Sequence, residues 1–180
     1  MGDVLQSITD DLRSFIEDQH VFFVGTAARD GRVNVSPKGL DSLRVLDPNR
    51  VAWLNVTGSG NETAAHILDT NRMTIMFCSF AKRPLILRLY GTATEVQPDQ
   101  PEWAELTALF PKTPGARQIF DVAVERVQTS CGYGVPRMSL DEDRELLKTW
   151  ASKKGPDGLV GYREDKNMVS IDGLPTGMRT

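Results

Sequence analysis

Two stretches of the sequence combine residues that could bind an anion such as phosphate. Ser36-Pro37-Lys38-Gly39 ends a predicted strand and brings together a hydroxyl, a positive charge and a glycine that allows close approach. In Thr57-Gly58-Ser59-Gly60-Asn61-Glu62-Thr63, two glycines and several hydroxyl and amide groups precede a predicted helix, whose free N–H groups favour an anion. The alternatives are a solvated turn at Lys38 and an ordinary helix N-cap at Asn61, with Glu62 complementing the helix dipole.

Two further stretches could contact a ligand elsewhere on the chain. Arg88 interrupts an apolar strand, so its charge must face solvent, pair with a carboxylate or meet a ligand. Gly91 in the same strand indicates a bulge or a close backbone contact. Cys131 and Tyr133 lie in a glycine-punctuated loop that can pass close to a flat ligand. A salt bridge at Arg88 and a buried, inert thiol at Cys131 are the alternatives.

The composition excludes several classes of protein. The chain has 180 residues, 40% of them hydrophobic and 25% charged, which is typical of one globular domain. A net charge of −3 without basic runs gives no nucleic-acid footprint, and no apolar run approaches the ~20 residues of a membrane span. The start lacks a signal peptide, and the two cysteines fit no metal or redox spacing. We expect a cytoplasmic protein without a nucleic-acid, membrane or metal partner, and structural roles for His20 and His66.

Hydrophobic periodicity predicts the elements that must position these residues. The expected helices cover residues 4–19, 62–70 and 101–110, then a segment that opens at the capping box Ser139–Glu142 and closes at Gly155, with one more short helix near the end. The expected strands cover residues 21–28, 32–36, 51–56, 72–80, 84–96 and 118–129, and Gly31 supplies a hairpin turn. About six strands without regular alternation with helices predict a mainly β (α+β) fold, an antiparallel barrel with flanking helices.

The order of the motifs resembles a known family over about half of the chain. The motifs are Val24–Ala27, Asp30–Gly39, Val51–Leu54, the Gly-Ser-Gly-Asn loop, Arg72–Phe77 and Leu89–Ala93. Together they resemble the pyridoxamine 5′-phosphate oxidase-related, FMN-binding split-barrel superfamily. The resemblance implies a six-stranded split β-barrel that forms a homodimer, with FMN in two clefts at the interface. Residues 1–136 are then the flavin-binding domain with its N-terminal helix, and residues 137–180 are a C-terminal helical extension of the same domain.

The resemblance also implies a set of site residues and one departure from the family. The cofactor-binding residues expected from it are Ser36, Lys38, Thr57, Asn61, Thr63 and Arg88, and Cys131 and Tyr133 are expected to face a small-molecule substrate. The oxidase clamps the FMN phosphate with basic residues at the positions of Glu62 and Thr63 here. The missing charge is therefore expected from Lys38, Arg32 or Arg88; otherwise the cofactor sits differently, or is F420 or haem. Oxidation of pyridoxamine phosphate itself is not expected, because the oxidase's C-terminal arginine motif is not evident.

Three functions are consistent with these residues. The leading hypothesis is an FMN-dependent oxidoreductase that transfers hydride or electrons between a reduced donor and a small-molecule acceptor, since the cofactor carries the chemistry and no catalytic triad is needed. The second is a flavin-, F420- or haem-binding carrier or sensor without turnover of its own. The third is a dimeric barrel with an empty cleft, which would purify colourless and gain no thermal stability from added flavin.

Overall fold

A computed structural model describes residues 2–180 as eight strands and four helices. In chain order the elements are β1 (Val4–Leu5), α1 (Asp10–Glu17), β2 (Phe22–Thr26), β3 (Asn34–Lys38), β4 (Leu43–Asp47), β5 (Arg50–Val56), α2 (Glu62–Thr70), β6 (Arg72–Cys78), β7 (Ile86–Val96), α3 (Glu102–Thr107), β8 (Ala116–Ser130) and α4 (Leu146–Lys166). None of these helices has the length and apolar composition needed to cross a bilayer.

All strands belong to one antiparallel sheet in the order β3-β2-β6-β7-β8-β5-β4, with β1 paired to β8 beside this path. Within residues 2–180 the end strands β3 and β4 do not pair, so hydrogen bonds do not close the sheet. The sheet thus has eight strands where about six were predicted. The sequence pattern missed β4 because both of its faces are covered: Val45 packs in the main core and Leu46 against a second apolar cluster, which removes polar–apolar alternation.

The sheet coils around its main core. Phe22 on β2 and Trp53 on β5 meet edge to face with ring centroids 6.4 Å apart, although three strands lie between β2 and β5 in the sheet. Trp53 also stacks on Phe120 of β8 with a centroid distance of 5.0 Å. The inner face of the sheet therefore turns back toward itself, and the end of β3 comes to lie over Trp53.

The two helices at the ends of the chain differ from the prediction. The N-terminal helix begins at Asp10, because the Thr9 hydroxyl caps it by accepting the N–H of Leu12, and residues 4–5 pair with β8 instead. The capping box predicted at Ser139 is wrong: α4 begins at Leu146. The preceding segment is held to the barrel by the N–H of Met138, which donates to the Phe80 carbonyl at 3.0 Å.

Two glycines act as the sequence predicted. Gly155 has φ 68° and interrupts α4, so the first helical segment ends there and a second continues from Pro156 to Lys166. Gly91 lies at a bulge between β7 and β8, where a Cβ atom would overlap the carbonyl oxygen of Ala123.

The helix predicted at residues 62–70 matches α2 at both ends.

Candidate cofactor site

Strand β3 presents a row of polar side chains to the inside of the coiled sheet. Asn34, Ser36 and Lys38 are partly buried and alternate with the exposed Val35 and Pro37. The amide nitrogen of Asn34 donates to the hydroxyl of Thr63 on α2 at 3.3 Å. The Ser36 hydroxyl is buried and has no hydrogen-bond partner. The alternation of β3 therefore aims Ser36 and Lys38, both predicted from sequence, away from solvent.

The glycine-rich loop begins at the end of β5 and leads into α2. The Thr57 hydroxyl donates to the carbonyl of Gly115 at 2.8 Å and accepts from Nε of Arg163 at 2.9 Å. Asn61 occupies the N-cap position of α2, but its side chain makes no capping hydrogen bond. Its Oδ1 is buried without a partner, while its Nδ2 faces the sulfur of Met178 at 4.0 Å. Thr57 and Asn61 are thus both buried next to residues from the C-terminal part of the chain.

Arg117 on β8 lies behind this loop and is 4% exposed. Its Nη1 donates to Oδ1 of Asn167 at 2.6 Å and its Nη2 to the carbonyl of Gly60 at 2.9 Å, while Nε has no partner. Burial, followed by repulsion from Arg163, lowers the pKa of Arg117 to about 10. The guanidinium therefore stays charged at neutral pH in an environment that disfavours its charge.

Lys38 adds a third cation to the same region. Its Nζ lies 5.0 Å above the ring of Trp53, and burial together with repulsion from Arg117 lowers the pKa of Lys38 to about 8. In the chain from residue 2 to 180, Lys38, Arg117 and Arg163 take part in no ion pair. Arg117 is buried, and Lys38 and Arg163 are partly buried. We call these three residues the buried cation cluster.

Glu95 on β7 is a carboxylate close enough to act on the buried cation cluster. It raises the pKa of Arg117 by attraction, against the larger effect of burial. Glu95 itself accepts a hydrogen bond from Nε2 of Gln118, and its own burial raises its pKa to about 7. Because Glu95 is partly protonated near neutral pH, it offsets only part of the positive charge.

A cavity of about 600 Å³ opens on the other side of the glycine-rich loop. Its lining comes from the β2–β3 hairpin, the start of α2 and the last part of the chain: Arg32, Val33, Asn34, Ser59, Gly60, Glu62, His66, Lys166, Val169, Ser170 and Ile171. We call it the α2 cavity. Gly60, in its wall, is the residue whose carbonyl accepts from Arg117, so Arg117 of the buried cation cluster stands directly behind that wall.

The C-terminal tail, residues 167–180, covers the loop and part of the cavity. Both carboxylate oxygens of Glu62 accept the N–H of Ile171 at 3.1 Å. Asp172 accepts the backbone N–H of Arg32 at 2.7 Å and pairs with its guanidinium. Arg32, one of the expected sources of the missing positive charge, is therefore engaged by the tail. Glu62, which stands where the oxidase has a basic residue, anchors the tail rather than a phosphate.

The remaining predicted residues lie at the other end of β8. Arg88 is in register with Gln128 and donates to the Ser130 hydroxyl at 3.2 Å, without the salt bridge considered as its alternative. Cys131 follows Ser130 and is exposed, which corrects the expectation of a buried thiol. Tyr133 is 81% exposed. Within one chain, the length of β8 separates these residues from Arg117 at its start, at about 3.3 Å per residue.

Sequence reasoning missed four residues of this region. Arg117 had a signal, because it is a charge within an apolar strand, as Arg88 is. Arg163 and Asn167 had none, since nothing in a helical pattern tells which polar side chain meets a distant loop. His66 was expected to be structural, and its Nδ1 does contact the Thr26 hydroxyl at 3.0 Å, but its Nε2 is buried without a partner.

The comparison with known proteins agrees with this fold. A sequence profile of the family described as "Pyridoxamine 5′-phosphate oxidase" matches residues 8–131, more than half of the chain. The chain belongs to the pyridoxamine 5′-phosphate oxidase family. The match runs from α1 to the end of β8 and leaves out α4 and the C-terminal tail, which supply Arg163 and Asn167.

Relatives extend the similarity beyond the profile. The pyridoxamine 5′-phosphate oxidase family protein ustO of Aspergillus flavus is 41% identical over 190 residues, an alignment that covers 94% of this chain and 76% of ustO. Among solved structures, a variant of HupZ from Group A Streptococcus has a TM-score of 0.56 at 24% identity, over 68% of this chain and 99% of HupZ. A candidate pyridoxamine 5′-phosphate oxidase of Lactobacillus delbrueckii has a TM-score of 0.55 at 22% identity, over 68% of this chain and 94% of that protein's chain. These two structures show the fold alone.

Proposed function

We propose that this family member binds FMN and is an oxidoreductase, transferring hydride or electrons between a reduced donor and a small-molecule acceptor. One observation carries the proposal. Arg117 of the buried cation cluster stands behind the wall of the α2 cavity, and the three positive charges of the cluster make no ion pair in residues 2–180. A phosphate monoester is a dianion near neutral pH and would supply the missing negative charge.

The unsatisfied polar atoms of the structure fit the same ligand. Five buried side-chain N or O atoms lack a hydrogen-bond partner in the described chain, and four of them belong to Ser36, Asn61, His66 and Arg117. Each such atom costs about 1–3 kcal/mol when it stays unpaired. Asn61 belongs to the glycine-rich loop and Arg117 binds the Gly60 carbonyl, while the Ser36 hydroxyl and Nε of Arg117 are donors that an anionic group would satisfy.

The roles of the residues follow from their positions. When bound, FMN would supply hydride and electron chemistry through its isoalloxazine ring. Lys38, Arg117 and Arg163 would attract the anionic end by their charge, and the Ser36 hydroxyl can donate to it, whereas the unpaired Oδ1 of Asn61 is an acceptor and would need an N–H or O–H group of the ligand. The C-terminal tail would exclude water from one side of the cavity. Thr57 positions Arg163 through their 2.9 Å hydrogen bond.

A homodimer with its clefts at the interface is part of the proposal. Val33, which lines the cavity, and Val35, on the outer face of β3, are 71% and 65% exposed. Val169 and Ile171 on the tail, which line the same cavity as Val33, are 58% and 73% exposed. A second copy docked here would bury this apolar surface and wall the cavity. Such a dimer also offers a way for a partner's Arg88, Cys131 and Tyr133 to reach the site.

The split six-stranded barrel and the division at residue 136 also remain proposals. The coiled sheet supports the six-stranded barrel. Two of the eight strands, β1 and one other, would then be additions to it. For the second, Arg163 and Asn167 contact Thr57, Gly58 and Arg117, which supports residues 137–180 as an extension of the same domain rather than a separate one.

A flavin carrier without turnover is the second candidate, because the tail covers the cavity and anchors itself on Arg32 and Glu62. The two are separated by the visible spectrum of the purified protein, identification of any chromophore it releases, and anaerobic mixing with NADH or NADPH. Bound FMN that is reduced and then reoxidised by an acceptor supports the oxidoreductase. Bound FMN that neither nicotinamide nor oxygen changes supports the carrier. A colourless protein that takes up no added FMN contradicts both.

A further inference from the structure

His66 has one ring nitrogen engaged and one unsatisfied at the wall of the α2 cavity. The residue lies on α2, is 1% exposed and lines the cavity. Its Nδ1 is 3.0 Å from the Thr26 hydroxyl, whereas its Nε2 is buried and has no partner in the described chain. A buried ring nitrogen without a partner costs free energy comparable to a lost hydrogen bond, so the site is incomplete as it stands.

The neighbours of His66 select its tautomer. The Thr26 hydroxyl has two side-chain contacts in the described chain: its oxygen accepts from the amide nitrogen of Asn34 at 3.4 Å, and Nδ1 of His66, at 3.0 Å, is the contact that can take its proton. When that proton is donated to Nδ1, the neutral ring carries its own proton on Nε2. Asn34 is itself fixed by a second donation, to Thr63 at 3.3 Å. In this arrangement of Asn34 and Thr26, Nε2 of His66 carries an N–H at the cavity wall.

We propose that Nε2–H of His66 donates a hydrogen bond to a phosphate oxygen of the ligand in the α2 cavity. This assignment rests on the proposed function and gives it a phosphate-recognition residue. The cavity wall favours an anion, because Gly60 is bound to Arg117 behind it and because α2 begins at Glu62 in the lining, where the positive end of the helix dipole lies. His66 then takes over part of the clamp that the oxidase builds with basic residues at the positions of Glu62 and Thr63.

The carboxylate of Glu62 does not exclude an anion from this wall. Its two oxygens share the single N–H of Ile171, which leaves the charge of Glu62 in place, and the nearby Asp172 is paired with Arg32. Lys166, also in the lining, lies next to Asp165 at 3.0 Å. Among the residues of the lining, Glu62 is thus one carboxylate against the two cations Arg32 and Lys166, and Nε2 of His66 has no partner in the described chain.

The tautomer is tested first, on the ligand-free protein. Long-range ¹H–¹⁵N spectra of the wild-type protein should show His66 with a protonated Nε2 and an unprotonated Nδ1 near neutral pH. Thr26→Val should weaken this preference, because it removes the hydroxyl that donates to Nδ1. A protonated Nδ1 in the wild-type protein would overturn the proposal, whatever the protein does with flavin.

The ligand contact is tested by calorimetric titration with FMN and with riboflavin, which lacks the phosphate. His66→Phe should weaken FMN binding about tenfold, the loss expected for one hydrogen bond to a charged group, and leave riboflavin binding unchanged. His66→Gln, whose amide can still donate, should recover part of the FMN affinity. His20→Gln is the matched control, because His20 is exposed and outside the α2 cavity. Unchanged FMN affinity in His66→Phe, or an equal loss for both flavins, would overturn the proposal.

A separate arm keeps this proposal distinguishable from the proposed function. If the wild-type protein binds neither flavin, the FMN proposal fails, and inorganic phosphate is titrated while the His66 ¹⁵N resonances are followed. A saturable shift of the Nε2 ¹⁵N resonance with phosphate, and none with chloride, supports His66 as a hydrogen-bond donor to phosphate. If phosphate causes no shift of this resonance, that role is overturned. The same titration decides the matter if His66→Phe fails to fold, since it uses the wild-type protein.

Discussion

Arg117 and Asn167 are joined by a hydrogen bond of 2.6 Å between two side chains that are both almost fully buried. Arg117 begins the longest strand of the sheet, and Asn167 begins the C-terminal tail. Asn167 also donates to the carbonyl of Gly58 at 3.0 Å, and its own carbonyl accepts from the Thr176 hydroxyl at 2.6 Å. This contact fixes the end of the chain against the glycine-rich loop and so builds one wall of the candidate site.

Replacing Asn167 by alanine should therefore destabilise the protein. Asn167→Ala leaves Nη1 of Arg117 and the Gly58 carbonyl without their partners, so we expect a loss of about 2 kcal/mol in the free energy of unfolding in urea. The neighbouring Lys166→Ala is the control, because Lys166 is exposed and its ion pair with Asp165 is on the surface. Equal unfolding midpoints for Asn167→Ala and the wild type would show that the tail is not fixed by this contact.

Removing the charge of Lys38 should stabilise the ligand-free protein and weaken FMN binding. Burial lowers the pKa of Lys38 from 10.5 to about 8, so the folded state disfavours the charge that the unfolded chain carries freely. The wild-type free energy of unfolding should therefore rise between about pH 8 and pH 10.5, where the unfolded chain keeps a proton that the folded chain has released.

Lys38→Met should abolish that rise and increase the free energy of unfolding at pH 7 by about 2 kcal/mol. The same variant should bind FMN tenfold more weakly or worse, because the loss of a charged partner costs about 1.5–3 kcal/mol. Denaturant unfolding across this pH range and flavin titration measure the two effects. Unchanged FMN affinity would remove Lys38 from the site.

Glu95 should make the free energy of unfolding fall with rising pH, whereas Lys38 makes it rise, and this fall should occur at lower pH. Its burial raises its pKa from 4.5 to about 7, so the folded state holds a proton that the unfolded chain loses earlier. Stability should accordingly fall as the pH rises from about 4.5 through 7. Glu95→Gln keeps an acceptor for Gln118 and cannot ionise, so it should be more stable than the wild type at pH 8, by about 2 kcal/mol, and equal to it at pH 4. A parallel pH profile for the two proteins would contradict the raised pKa.

Gly91 should be intolerant of any side chain. A Cβ atom there would overlap the carbonyl of Ala123 at the β7–β8 bulge, where backbone rather than a flexible side chain must move. Gly91→Ala should lower the free energy of unfolding by about 3 kcal/mol or more. Gly134→Ala is the matched control, because nothing lies within 4 Å of the Cβ it would add. Thermal unfolding of the two variants measures this difference. If Gly91→Ala lowers the unfolding midpoint only slightly, the bulge relaxes to accept the Cβ atom.

Local signals in the sequence predicted much of the fold. The alternation of Asn34, Ser36 and Lys38, the helix at residues 62–70 and the glycines at 91 and 155 are properties of a few neighbouring residues. Strand β4 was missed because its two covered faces hide the alternation, and α4 was misplaced because a capping box at Ser139 competes with a long-range contact of Met138 to Phe80.

The site was predictable only in part. The glycine-rich loop and Lys38 carry recognisable local chemistry, but Arg117, Arg163 and Asn167 meet that loop from positions 57 to 109 residues away along the chain. Spacing cannot show such contacts. Whether Arg88 belongs to the same site as Thr57 depends on the register of β8 and on a second copy of the chain, neither of which a local pattern contains.

The central claim is that FMN occupies the α2 cavity with its phosphate toward the buried cation cluster. A crystal structure of the protein grown with FMN tests it most directly. We expect flavin density in this cavity, with the phosphate within hydrogen-bond distance of His66 and near Gly60. Density at the far end of β8 of the same chain, beside that chain's own Cys131 and Tyr133 and away from the α2 cavity, or a cavity that stays empty at saturating FMN, would contradict the claim.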